Sequence, residues 1–308
     1  MRRIIHGVVT SFTAIVISII IIEACLRIAG IFYSKELVAA KNINNGTFLV
    51  YCFGDSFTYG TGSENKKGYP EQLQELCEKQ YPGEGIKVIN FGIPGSNSKQ
   101  ALNYFKYILT SSGYSRPSVV ILMTGMNDWW NIADNNKVLS YYLSHYRMNH
   151  FATKCCMVLL RSKIVKLLTI CFVNKTTIAK TDLGSQLAIA NSDEPGARER
   201  IGDEYLSAVR IIFEQNLNDF VNLARCSGID IIFSQYPNGF IFDSSLEYTS
   251  KRLNITMVYN YEKFRKFISG GQLDEYFSSK LSYSHPNDKG YAIMAEEILT
   301  TLIRKKQI

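Results

Sequence analysis

Residues 48–60 read FLVYCFGDSFTYG. The six apolar residues Phe48–Phe53 run without polar alternation, the pattern of a strand covered on both faces. The run stops at Gly54-Asp55-Ser56, small and polar residues suited to a turn. Similar apolar runs recur at Ile86–Asn90, Val119–Met123, Ile229–Ser234 and Ile255–Tyr259. Between them the apolar residues fall three or four apart, as in Tyr69–Lys79 and Lys99–Leu109. Leu206, Val209, Phe213, Leu217, Phe220 and Ala224 show this spacing most clearly, and Tyr291, Met294, Ile298 and Leu302 repeat it in the last helix. Alternating strands and helices predict an α/β fold with a parallel sheet and helices on both faces.

Composition narrows the class further. The chain has 308 residues, 46% hydrophobic and 20% charged, close to ordinary globular usage. Disordered, collagen-like and coiled-coil proteins are thereby excluded. The 7 cysteines contain no C-x-x-C pair, which argues against a zinc ribbon, a zinc finger or a dense disulfide scaffold. No cluster has metal-ligand spacing, and no cofactor is expected. The net charge of +7 is unevenly placed: residues 135–181 carry eight Lys and Arg and no acid. This segment interrupts the alternation and predicts a basic helical cap inserted at about residues 135–200. Contact with an anionic lipid or polymer surface and a plain solvated face remain equally open for it. No recognised binding module accompanies the charge, so nucleic acid is not an expected partner.

The N-terminus has its own signature. Ile4 to Ile22 contains no charged residue, and Arg2, Arg3, Glu23 and Arg27 flank it. At ~1.5 Å per residue this run approaches the ~30 Å thickness of a bilayer core. A cleaved signal peptide competes, but Ile22-Glu23-Ala24 is a poor cleavage site. The expected organisation is a transmembrane anchor at 1–27, a linker at 28–46 and the α/β domain with its inserted cap at 47–308. Positive residues on the two flanks nearly balance, and long domains cross membranes regardless of such flanks. The domain is therefore expected on the extracytoplasmic side.

In a doubly wound sheet, ligands gather beyond the C-terminal ends of the strands. Three such ends here are polar: Gly54-Asp55-Ser56, then Asn90 through Asn97 with Gly95 in its turn, then Gly125-Met126-Asn127-Asp128. Ser284-His285-Pro286-Asn287 stands before the last helix. A serine hydroxyl is a weak nucleophile until a base takes its proton. Of the four histidines, His6 lies in the anchor, His145 and His150 lie in the inserted segment, and His285 is left to reach the strand ends. An oxyanion needs fixed donors, which a close backbone N–H at Gly95 and the Asn127 amide can supply. Asp55 and Asp128 are expected to hold turns rather than to transfer protons. Trp129 and Trp130 either line a pocket or pack the cap.

These four blocks, in this order, resemble the SGNH (GDSL-type) hydrolases, and the resemblance runs from Phe48 to the C-terminus apart from the insertion. It implies a flavodoxin-like three-layer α/β/α sandwich and hydrolysis or transfer of acyl esters on carbohydrates or lipids. It implies Ser56 as nucleophile, its own N–H with Gly95 and Asn127 as oxyanion donors, and His285 as base. The family usually has an Asp three residues before the His, where this chain has Ser282. Three readings stay open: Asp274 reaches His285, Ser282 or a backbone carbonyl orients the ring, or the enzyme is slow or inactive. The expectation is a membrane-anchored serine esterase. O-acyl transfer to a surface polysaccharide and an inactive glycan- or lipid-binding protein are the alternatives.

Overall fold

A computed structural model describes residues 2–36, 46–111, 114–129, 131, 134–135, 162, 164, 203–281 and 284–305. Residues 37–45 of the expected linker lie outside these residues, as do Trp130, Ser282 and nearly all of the predicted cap, whereas residues 28–36, also expected as linker, continue the N-terminal helix. By contact the chain divides into two compact units. One comprises Met1–Ala39 with Arg147–Lys180, the other Ala40–Tyr146 with Thr181–Ile308.

In the first unit, α1 spans Arg2–Glu36, and its stretch Val9–Ile28 is long and apolar enough to cross a membrane. The apolar side chains from Val9 to Ile22 are exposed. A signal sequence would have the same length and composition. Glu23, at the end of the apolar run, is well partnered. It accepts from Arg27 Nε at 2.8 Å, from Ser162 Oγ at 2.8 Å and from Ile164 N at 3.1 Å.

The second unit is built on a five-stranded, all-parallel sheet. In chain order its elements are β1 (Phe48–Gly54), α2 (Ser56–Tyr59), α3 (Tyr69–Gln80), β2 (Ile86–Gly92), α4 (Ser98–Thr110) and β3 (Val119–Met123). After the insertion come α5 (Asp203–Cys226), β4 (Asp230–Ser234), α6 (Asp243–Leu253), β5 (Thr256–Val258) and α7 (Asn260–Ser269). The short α8 (Leu273–Tyr276), a 3-10 turn (Ser279–Leu281) and α9 (Asp288–Arg304) complete it. The strand order is β2-β1-β3-β4-β5. This is the flavodoxin-like order, in which the chain reverses its direction of winding between β1 and β3.

The alternation of side chains along β1 explains the layers. Phe53 points to one face, where it meets Phe105 of α4 and Phe220 of α5. Cys52 points to the other, toward Tyr69 of α3. Residues from Leu49 to Phe53 are all at most 3% exposed, so both faces are dry and the uninterrupted apolar run follows. On α5 and α9 the residues at three-and-four spacing are the buried ones: Val209, Phe213, Leu217 and Phe220, then Tyr291, Met294, Ile298 and Leu302.

Glycines end β1 and β2 because α2 passes over them. A Cβ on Gly54 would fall 2.4 Å from Met123 O and collide with Thr58 Oγ1. A Cβ on Gly92 would stand 2.3 Å from Tyr59 N. These two close approaches bring the residues after β1 to the reversal point of the sheet.

Candidate active site

Ser56 is the first residue of α2, immediately beyond β1. Asp55 caps this short helix, its side chain accepting from Phe57 N at 3.0 Å. The helix ends at Gly60, whose φ of 94° suits glycine. The half-buried Ser56 hydroxyl lies 2.8 Å from His285 Nε2, although 229 positions separate them in the chain.

Both partners are held from several sides. The His285 loop is closed by Ser278 N donating to His285 O at 2.9 Å and Asn287 N donating to Tyr276 O at 3.0 Å. Asn287 then caps α9, its side chain accepting from Lys289 N and Gly290 N. The loop following Ser56 is fastened to the same helix. Tyr291 OH donates to Thr61 O at 2.7 Å, Ser63 donates to the Asp288 carboxylate, and Asn65 Nδ2 donates to it at 3.1 Å. Phe57 stacks on the imidazole with ring centroids 4.5 Å apart.

The second ring nitrogen has a neutral partner. His285 Nδ1 is 2.9 Å from Ser284 Oγ, which also lies 2.7 Å from Leu281 O. Asp274, expected as one possible carboxylate partner, is exposed on the four-residue α8 and is not the ring's partner among the described residues. Burial alone pushes the His285 pKa down from 6.5 to about 4.

The second and third blocks meet the first through Asp55 and Gly54. Ile93 N and Ser96 Oγ both donate to Gly54 O at 3.0 Å, seating the Gly95 turn on the end of β1. Gly95 has a φ of 75°. Asn131 Nδ2 donates to its carbonyl at 2.5 Å. Among the described residues, neither Ser56 N nor Gly95 N donates to a protein acceptor. Asn127 differs from expectation. Its Nδ2 donates to Asp55 Oδ2 and to Ser96 O, both at 3.0 Å, so both amide hydrogens already have acceptors.

Asp55 is fully buried and accepts a third bond, from Tyr236 OH at 2.7 Å. Tyr236 OH accepts in turn from Met126 N at 3.2 Å. Burial pushes the Asp55 pKa from 3.8 up to about 7, against the pull of these donors. Asp128, also raised to about 7 by burial, accepts from Ser98 N at 2.8 Å and from Ser98 Oγ. Both acids therefore hold turns, as their positions suggest. Trp129 packs half-buried against the core. Cys52 is buried as a strand thiol should be, whereas Cys226, at the end of α5, is exposed.

The sequence reading missed Ser284, Phe57 and Tyr236. For Tyr236 a signal existed: it stands two residues beyond β4, on the same C-terminal edge that singled out the other blocks.

Comparison with curated proteins gave no match. Among solved structures, the chain is similar to AlinE4, an SGNH-hydrolase family esterase, at 17% identity and a TM-score of 0.39, covering 71% of this chain and 80% of that one. It is similar to Axe2, an acetylxylan esterase from Geobacillus stearothermophilus, at 16% identity and 0.49, covering 84% and 95%. A member of the lipolytic protein G-D-S-L family from Veillonella parvula matches at 17% identity and 0.45, covering 84% and 100%. The GDSL-like Lipase/Acylhydrolase family matches residues 52–293, most of the chain and all four polar blocks. The chain belongs to that family.

Proposed function

We propose that the protein is a membrane-anchored serine ester hydrolase acting on acyl esters of a cell-surface carbohydrate or lipid. The observation that carries this reading is the 2.8 Å approach of Ser56 Oγ to His285 Nε2. Ser56 attacks the ester carbonyl while Nε2 takes its proton, and the developing oxyanion turns to the N–H groups of Ser56 and Gly95, which donate to no other group among the described residues. Asn127 holds the two turns that present these donors, and its amide joins them only by loosening one of its present bonds. The imidazolium then gives its proton to the departing alcohol, and water, activated by the same ring, releases the acid. In this reading α1 is the anchor, the domain lies on the extracytoplasmic side, and the basic insertion meets an anionic surface.

The test uses the full-length chain in detergent. It should release p-nitrophenol from the acetate ester and take up a fluorophosphonate on Ser56, and Ser56→Ala should do neither. Equal turnover by the two proteins would support a binding protein instead, and acylation of an added glycan in place of hydrolysis would support a transferase. Release of the protein from membranes by high salt alone would contradict the anchor.

The buried imidazole also sets a pH profile. A pKa lowered to about 4 leaves the base neutral, and hence competent, well below its ordinary 6.5. kcat/KM should hold level from pH 7 to pH 5 and reach half its plateau near pH 4. An acid limb centred near 6.5 would show that the ring behaves as if in solvent.

A further inference from the structure

We infer that Ser284 is the positioning residue of this site and that its hydroxyl fixes the His285 tautomer in the role a carboxylate plays in Ser-His-Asp triads. The inference rests on the catalytic reading above and extends it to the group behind the base. Its basis is proton counting. A serine hydroxyl has one hydrogen. Ser284 Oγ lies 2.7 Å from Leu281 O, a carbonyl that can only accept, so the hydroxyl hydrogen lies on that line. The oxygen then faces His285 Nδ1, at 2.9 Å, with a lone pair. Nδ1 must therefore carry the ring hydrogen, and Nε2 turns its own lone pair to Ser56 Oγ.

That is the tautomer the reaction requires. As the bond from Ser56 Oγ to the ester carbon forms, the serine proton moves to Nε2, while the proton on Nδ1 stays in place against Ser284. As the bond from that carbon to the alcohol oxygen breaks, the proton on Nε2 moves to the alcohol oxygen. The opposite arrangement, with Ser284 donating to Nδ1, would give up the bond to Leu281 O and leave Nε2–H pointing at the nucleophile, unable to act as base.

The surroundings keep Ser284 in place. It is 6% exposed, so water does not compete freely for its hydroxyl. Its backbone N donates to Leu281 O at 3.0 Å, and its carbonyl accepts from Asn238 Nδ2 at 3.3 Å. A hydroxyl supplies orientation without charge, so the imidazolium gains only a dipole. Loss of Ser284 should accordingly cost less than the ~10⁴-fold that follows removal of a triad carboxylate's function.

The test follows full-length protein in detergent by ester turnover and by nitrogen-15 resonances of the imidazole, assigned with His285→Ala. Ser284→Ala should lower kcat about tenfold to a hundredfold with KM little changed, the signature of a lost transition-state interaction. Ser284→Thr, which retains the hydroxyl, should restore most of the rate. The resonances should show Nδ1–H in the wild type and a substantial Nε2–H population in Ser284→Ala. Should the alanine variant fail to fold, Ser284→Cys keeps the size and weakens the acceptor. Wild-type kcat in a folded Ser284→Ala, or a ring that stays Nδ1–H without the hydroxyl, overturns the inference. The tautomer readout needs no turnover, so it stands even if Ser56→Ala shows the catalytic reading to be wrong.

Discussion

Replacing His285 by alanine should lower kcat for p-nitrophenyl acetate by about three to four orders of magnitude, with KM changed far less. The size follows from what is removed. Ser56 Oγ has its 2.8 Å contact with Nε2, and with that base gone its proton must pass to water. Combining Ser56→Ala with His285→Ala should therefore cost no more than Ser56→Ala alone, because the two groups act as one unit. The substitution also removes a ring that stacks on Phe57, leaving a gap beside the nucleophile helix. Thermal unfolding must accompany the kinetics, and His285→Gln, which retains more of the volume, separates lost packing from lost basicity. Activity within tenfold of wild type in a folded His285→Gln would remove the imidazole from the chemistry.

What the sequence showed and what it hid follow a physical division. β1 was legible because a strand buried on both faces needs apolar residues at every position, and Phe48–Phe53 supplies them. α5 and α9 were legible because one buried face on a helix requires three-and-four spacing. Ser56 and His285 were legible through residue type and their place at strand or helix ends. The orienting group behind His285 was not. Ser282 stood out through the family's spacing and Asp274 as an acid in the preceding loop, yet the group at Nδ1 is Ser284, the adjacent residue. Neighbours in an extended or helical chain do not face one another. They do so here because Ser284 turns back onto Leu281, its N and its Oγ both bonded to Leu281 O. Nothing local in the sequence encodes that turn. Asn127 is a related case: its amide declared a donor, but the acceptors that claim it, Asp55 and Ser96 O, belong to two other loops.

The largest effect on stability should come from Asp55→Ala. This carboxyl has no exposure and accepts from Phe57 N, Asn127 Nδ2 and Tyr236 OH. Each buried donor left without a partner costs roughly 1–3 kcal/mol, and relief from burying a carboxylate offsets part of the sum. A net loss of about 3 kcal/mol at pH 7 is expected by denaturant unfolding, a large share of a typical domain's stability. Activity should fall with it, because the same three bonds align the helix start that bears Ser56 with the turns that present Gly95. Asp55→Asn is the finer test. It keeps one acceptor oxygen but sets an amide NH₂ against a donor, so it should cost less than alanine. Its pH dependence has a definite sign. Burial raises the Asp55 pKa from 3.8 to about 7, so between those values the folded protein holds a proton that the unfolded chain has released. This contribution to stability is complete below about pH 4 and declines as pH rises through 7. Asparagine does not titrate, so the gap between wild type and Asp55→Asn should narrow from pH 5 to pH 8. A gap that stays constant from pH 5 to pH 8 would mean that the donors outweigh burial and that Asp55 is held as a carboxylate well below neutrality.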